Sequence, residues 1–350
     1  MSRDLLRAGA ALLAFASSPM AFAQSEAEKF YADKALTMVV GYGPGGGYDV
    51  YARLVARHLS RYIPGGKAIT VQNMPGAGSL RAATFLYTTA PKDGTFVGTF
   101  SREMPLAAML GGNPNINFDP RKFTWLGSPS SFATDAYILW VRKDSAIKSI
   151  EQARGPGVGE LILGGTAEGA SGNDTAVLLR DVLKLRMKLI TGYPDSNALF
   201  LATDRKEIEG RFVGLSAVAS SKPDWLKPDS VVQPLLQFGR ERRHPDFANV
   251  PTARELAGDE RARMLIEFAE LPYLLSRPFV APPGVPADRA KLLQKAFMDA
   301  TKDKMFLEES ERVKVEVSPV GADEAVAMLE KVAAAPEDVK AAVRALSGHK

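Results

Sequence analysis

Three times along this chain a short β-prone run ends in a turn rich in glycine and small polar residues, then passes into a stretch with helical spacing. The first run is Leu36 to Val40, closed by Gly41-Tyr42-Gly43-Pro44-Gly45-Gly46-Gly47. From Asp49 the spacing becomes helical, with Val50, Leu54, His58 and Tyr62 on one stripe and Arg53, Arg57 and Arg61 on a solvated one. The second unit is Ala68 to Gln72, the turn Asn73 to Ser79 and a helix Leu80 to Thr88; the third is Glu160 to Leu163, the turn Gly164 to Asp174 and a helix Thr175 to Leu185. This order predicts an α/β fold with parallel sheet and helices on both faces. Such sheets bind ligands outside the carboxyl ends of their strands, where backbone N–H groups and the helix macrodipole favour an anion. Backbone geometry alone accounts for any one glycine turn, but three at strand ends point to an anion site.

Nucleotide readings fail on their own terms. Gly41-Tyr42-Gly43-Pro44-Gly45-Gly46 fits the dinucleotide spacing, yet no acidic residue occurs between Asp49 and Asp93 to hold a ribose. Gly65-Gly66-Lys67-Ala68 lacks the earlier glycine and the Ser or Thr of a phosphate loop. Catalytic groups are sparse as well. His349 lies in the terminal tail, His244 beside the charged run Arg240 to Arg243, and His58 on the helix stripe, none with metal-ligand spacing to another. There is no cysteine and no nucleophile elbow. These features predict a binding protein without cofactor or metal, with no catalytic residues. An enzyme acting on a small carboxylate and a sensor receptor that signals instead of transporting are the alternatives.

The first 23 residues have the layout of an export signal: Arg3 and Arg7, an apolar run from Ala8 to Ala16, and Ala21-Phe22-Ala23 as the cleavage site before Gln24. That apolar run is too short to span a bilayer, which needs about 20 residues. The formal charge of +4 is spread along the chain, without the basic stripe and interleaved aromatics of a nucleic-acid binder. The remaining length favours two lobes over one core. Residues 24–35 read as a linker, 36–139 as the first part of lobe 1, 140–236 as lobe 2, and 237–350 as the rest of lobe 1 with helices Ala253 to Phe268, Asp288 to Lys302 and Ala322 to Leu346. Crossings near 140 and 235 form the expected hinge.

The stretch Met38 to Arg53, with Gly41-Tyr42-Gly43-Pro44-Gly45-Gly46-Gly47-Tyr48-Asp49 at its centre, resembles the opening motif of the tripartite tricarboxylate transporter receptors, the Bug or TctC solute-binding family. Asn73-Met74-Pro75-Gly76-Ala77-Gly78, Ala90 to Thr95, Asn117 to Pro120, Phe247 to Leu256 and Ala281 to Pro286 resemble the family's later motifs in order. The resemblance implies a type II periplasmic-binding-protein fold of two α/β lobes. It also implies a periplasmic monomer that takes a small organic acid to the large and small membrane subunits of a permease. Carried over by position, the ligand is clasped largely through main-chain N–H groups and water by the turn of Pro44, Gly45, Gly46, Gly47, Tyr48 and Asp49 and by the turn holding Gly165, Thr166, Gly169, Ser171, Gly172 and Asn173. Pro75 and Gly76 in the second turn, Ser101 after the strand Phe96 to Phe100, Phe132, Tyr193 and Asp195 complete the candidate set. No single cationic side chain, Arg53 and Arg102 included, is expected to be indispensable. Two departures bear on the ligand: Tyr48 stands where the family has a small residue, and Asp195 in Tyr193-Pro194-Asp195-Ser196-Asn197 where it has glycine. Tyr48, Tyr193 and Phe132 could pack a ring and Asp195 could meet an ammonium, unless Asp195 is an ordinary turn residue.

Overall fold

Met38, Val39 and Val40 are all fully buried, as a strand covered on both faces requires. They form β1 (Thr37–Val40), which pairs in parallel with β2 (Thr70–Asn73) and β3 (Phe96–Thr99). The computed structural model describes residues 25–157, 159–167 and 170–346. The expected leader, Gly169 and His349 lie outside the described residues.

Among the described residues, α1 (Glu26–Ala32) precedes β1, α2 (Gly47–Leu59) links β1 to β2, and α3 (Leu80–Thr88) links β2 to β3. After α4 (Glu103–Leu110) comes β4 (Thr124–Ser128), and the chain then leaves for a second sheet. There it forms β5 (Tyr137–Arg142), α5 (Ile150–Arg154), β6 (Leu161–Gly164), α6 (Ser171–Val182), β7 (Met187–Ile190), α7 (Ser196–Asp204), β8 (Gly210–Gly214), α8 (Leu215–Ser221) and β9 (Val232–Phe238). A long return through α9 (Glu260–Ala269) brings β10 (Phe279–Ala281) back into the first sheet. The chain ends with α10 (Ala287–Lys302), α11 (Lys304–Arg312), β11 (Val320–Gly321), α12 (Ala322–Ala334) and α13 (Glu337–Leu346).

The strand orders are β11-β4-β10-β3-β1-β2 and β7-β6-β8-β5-β9. Both sheets are mixed, not wholly parallel. β10 lies antiparallel between β3 and β4, and β5 antiparallel between β8 and β9. The reason is the double crossing: β5 and β10 are each reached from the other sheet, so no strand–helix–strand unit within their own sheet sets them parallel to their neighbours. The boundary expected between 139 and 140 falls inside β5, every residue of which pairs in the second sheet. The first crossing therefore runs through 129–136 and the second through 239–278.

Local chemistry also moves several helix ends. The helix expected from Ala253 starts at Glu260, because Asp259 caps it by accepting the Ala262 N–H at 2.7 Å. Ala253 itself donates its N–H to the Gln237 carbonyl at 2.8 Å, which ties it to β9. The run Ala322 to Leu346 is two helices, broken at Ala335-Pro336 where proline lacks the needed donor. α6 starts at Ser171, one turn earlier than its apolar spacing suggests. Separate cores fill the two sheets, and α9 spans them: Leu265 and Phe268 face one, Ile266 and Ala269 the other. Among the described residues no helix is long and apolar enough to cross a membrane.

Candidate binding site

The carboxyl ends of β1 and β6 face each other across a cleft lined by residues of both sheets. On one side Tyr42, Gly43, Gly46, Gly47 and Tyr48 lead into α2; on the other Gly165, Thr166, Ser171, Gly172 and Asn173 lead into α6. α6 opens at Ala170 without a side-chain cap, so its first turn presents orphan donors to the cleft. A Cβ at Gly165 would lie 2.2 Å from Asn173 Oδ1, so a larger residue there would have to displace that side chain.

Three arginines also line the cleft: Arg102 just past β3, Arg211 in β8 and Arg277 before β10. All three are almost wholly buried, at 3%, 5% and 2% exposure, where a cation normally has an acidic partner. No salt bridge among the described residues involves any of them, and Arg102 Nη1, Arg211 Nε and Arg277 Nε have no hydrogen-bond partner there. Aromatic rings and carbonyls hold them instead. The Arg102 guanidinium lies 4.7 Å from the Tyr273 ring, 4.9 Å from Phe132, 5.3 Å from Tyr137 and 5.9 Å from Tyr48, and its Nε donates to the Ser276 carbonyl. Arg277 stacks on Tyr51 and Tyr48 and donates to Ser276 and to Ser216 Oγ. Arg211 lies over Phe200 and donates to the Ser196 carbonyl at 2.8 Å. Burial pushes Arg211 down to about 10, against the pull of Tyr137 and Asp195, so it remains a cation at neutral pH. Burial likewise raises Tyr42, Tyr137 and Tyr273, which stay neutral donors.

No protein-family model matches the chain. A stretch of 152 residues is 32% identical to the UPF0065 protein in the gbd 5' region of Cupriavidus necator, covering 43% of each protein, so the match spans less than half of that curated relative. Solved structures match over nearly the whole length. The periplasmic binding protein BugD superposes with a TM-score of 0.69 at 18% identity, over 91% of this chain and 99% of that one. MatC from Rhodopseudomonas palustris with bound malate gives 0.67 at 20%, over 88% and 99%. An R. palustris protein with adipate gives 0.66 at 21%, over 90% and 98%.

The fold is that of the periplasmic binding proteins.

In this binding-protein fold the residues singled out from sequence separate into three groups. Gly46, Gly47, Tyr48, Gly165, Thr166, Ser171, Gly172, Asn173 and Asp195 line the cleft. Pro44, Gly45, Pro75 and Gly76 are exposed at turns beside it. Asp49, Ser101, Phe132 and Tyr193 support it from behind. The buried Asp49 carboxylate accepts the Gly45 N–H at 2.9 Å, Arg53 Nε at 2.9 Å and Asn73 Nδ2 at 2.8 Å. It thereby takes the Gly45 donor that the main-chain clasp would have used, and these bonds hold its carboxyl below the usual range although burial alone would raise it. The Ser101 N–H donates to Ser79 Oγ at 2.7 Å. Phe132 packs edge-on to Tyr273 at 4.8 Å as part of the Arg102 cage, and Tyr193 packs on the small cluster of Leu199, Ala202 and Ile208. Asp195 caps α7 through Oδ1, which accepts the Ala198 N–H at 2.9 Å, while Oδ2 faces Gly43. Its turn role and its place in the cleft thus coexist.

What sequence reasoning missed is the cationic floor. Read from sequence, Arg102 is dispensable and neither Arg211 nor Arg277 is singled out. The one signal available was Gly210-Arg211-Phe212-Val213-Gly214, a lone charge inside a β-prone run. A strand residue that alternates with apolar neighbours points into a core or a cleft.

Proposed function

We propose that this chain is a periplasmic solute receptor of the Bug or TctC type that captures a small organic acid with at least two anionic groups and presents it to a two-subunit membrane permease. The observation that carries the reading is the set of three buried arginines facing one cleft, none of them in a direct ion pair among the described residues. Buried cations without a direct ion pair are costly, and a polyanionic ligand supplies partners in contact with them. The sequence motifs, the shared fold and the partial curated relative point the same way, and two of the structural neighbours hold malate and adipate. Charge recognition is divided between the arginines and the α6 N-terminus, with Ser171 and Asn173 adding polar atoms that lack partners among the described residues. Asp195 Oδ2 at the cleft wall favours acids that also carry an ammonium or hydroxyl donor. The receptor works as a monomer in the periplasm after removal of residues 1–23, and its lobes close about the crossings at 129–136 and 239–278.

A thermal-shift screen against mono-, di- and tricarboxylates tests the reading. A true ligand at 100 times its dissociation constant stabilises by about 2.7 kcal/mol. The expected ranking places diacids well above their monoamides, because an amide offers no charge to the second arginine. Equal shifts for acid and amide would reject polyanion recognition, and turnover of the bound acid by pure protein would move the reading to an enzyme.

A further inference from the structure

At the start of α4 two oppositely charged residues, Arg102 and Glu103, stand side by side in sequence and both are buried. Arg102 faces the cleft, whereas Glu103 faces a small separate cavity behind it, shared with Asp174 and Thr175 of α6. Tyr273 lies between them. Its ring covers the Arg102 guanidinium at 4.7 Å and its hydroxyl meets Thr175 Oγ1 at 2.8 Å, beside the cavity that Glu103 faces. Glu103 Oε1 has no partner among the described residues. The titratable groups around Glu103 are Arg102, Tyr137, Tyr273 and Asp174, while β9, α9 and α13 present Phe238, Ala269 and Val343. Among the described residues Arg102 is the cation that acts on this carboxyl.

We propose that Glu103 is the internal counter-ion of Arg102 in the ligand-free cleft, and that an incoming anion takes over this role while Glu103 takes up a proton from solvent. The proposal rests on the anion-receptor reading and adds a proton to it. Burial pushes the Glu103 carboxyl up to about 7, with Arg102 and then Tyr273 holding it back. Near neutral pH the group is therefore partly ionised. An anion on Arg102 neutralises the field that keeps Glu103 charged, so its proton affinity rises further. By reciprocity, whatever raises proton affinity on binding makes binding tighter when the proton is present. The sign follows: affinity is highest below the ligand-free value of about 7 and weakens as pH rises from there to the higher ligand-bound value. Within that window the dissociation constant grows by at most about tenfold per pH unit.

Calorimetric titration with malate, adipate and sulfate in buffers of different ionisation enthalpy measures the proton directly. At pH 7 about half a proton should enter per anion bound, since a group titrating near that pH is about half ionised. Glu103→Gln should take up none and should bind at pH 8 about as tightly as the unaltered protein does at pH 6. Uptake that persists in Glu103→Gln, or no uptake in the unaltered protein, overturns the proposal. If none of the three anions binds, the receptor reading fails, and infrared titration still decides the counter-ion claim. The protonated-carboxyl band lost in Glu103→Gln should titrate near neutrality and move to higher pH in Arg102→Gln. A band titrating in the ordinary carboxylate range, or unmoved by Arg102→Gln, overturns it.

Discussion

Replacing Arg211 with methionine should weaken ligand binding strongly while making the ligand-free protein slightly more stable. The two signs come from different parts of the same environment. Burial has lowered the guanidinium from its ordinary range to about 10, which corresponds to about 3 kcal/mol of penalty on the buried charge. Methionine removes that penalty and keeps much of the packing on Phe200. It also removes hydrogen bonds from Nη1 to the Ser196 carbonyl at 2.8 Å and from Nη2 to Ser196 Oγ at 3.2 Å, each contributing about 1 kcal/mol. The net is a gain of about 1 kcal/mol, or about 2 °C in melting temperature for a chain of this size. Against this, an anion loses a charge-assisted and potentially bidentate partner, about 3 kcal/mol and so roughly a hundredfold in affinity. Calorimetry with the strongest diacid from the screen and thermal melts by circular dichroism measure both. A variant that melts several degrees lower and binds normally would refute the reasoning, because Arg211 would then be a structural cation and the cleft's positive charge would not serve capture.

Gly165→Ala should fold but bind at least tenfold more weakly, because the new Cβ at 2.2 Å from Asn173 Oδ1 must displace that side chain from the cleft; unchanged calorimetric affinity would show that Asn173 is dispensable. Asp49→Ala breaks three hydrogen bonds of a buried carboxylate and should lower stability by about 3 kcal/mol in urea unfolding, a loss under 1 kcal/mol meaning that the turn before α2 is held by other contacts. Small-angle scattering should show compaction on saturation with a diacid, as the lobes close about 129–136 and 239–278; no change at full occupancy would indicate a preformed cleft. Intact mass of protein recovered from periplasm should place the N-terminus at Gln24, and a retained Met1 there would overturn the leader assignment.

The strand, glycine-turn and helix units were legible because their signals are local. Alternation, glycine clusters and helical stripes act within a dozen residues, and β1, α3, β3 and α10 formed close to where those signals placed them. Part of the Asp49 network is local too, since Gly45 and Arg53 are each four residues away, while Asn73 is brought in by the sheet. The sheet order was not legible, because β10 reaches its place between β3 and β4 only after the chain has built the whole second sheet. Nor was the cationic floor. An arginine read in sequence is by default a solvated one, and only the β-prone run around Arg211 says otherwise. Their burial and the four rings around Arg102 arise from residues distant in the chain. Sequence alone determined that the chain would present backbone donors at strand ends, because that follows from short-range geometry. Only the tertiary structure decided that three charges would meet there, because desolvation and the sum of long-range fields depend on what the completed fold packs around each group.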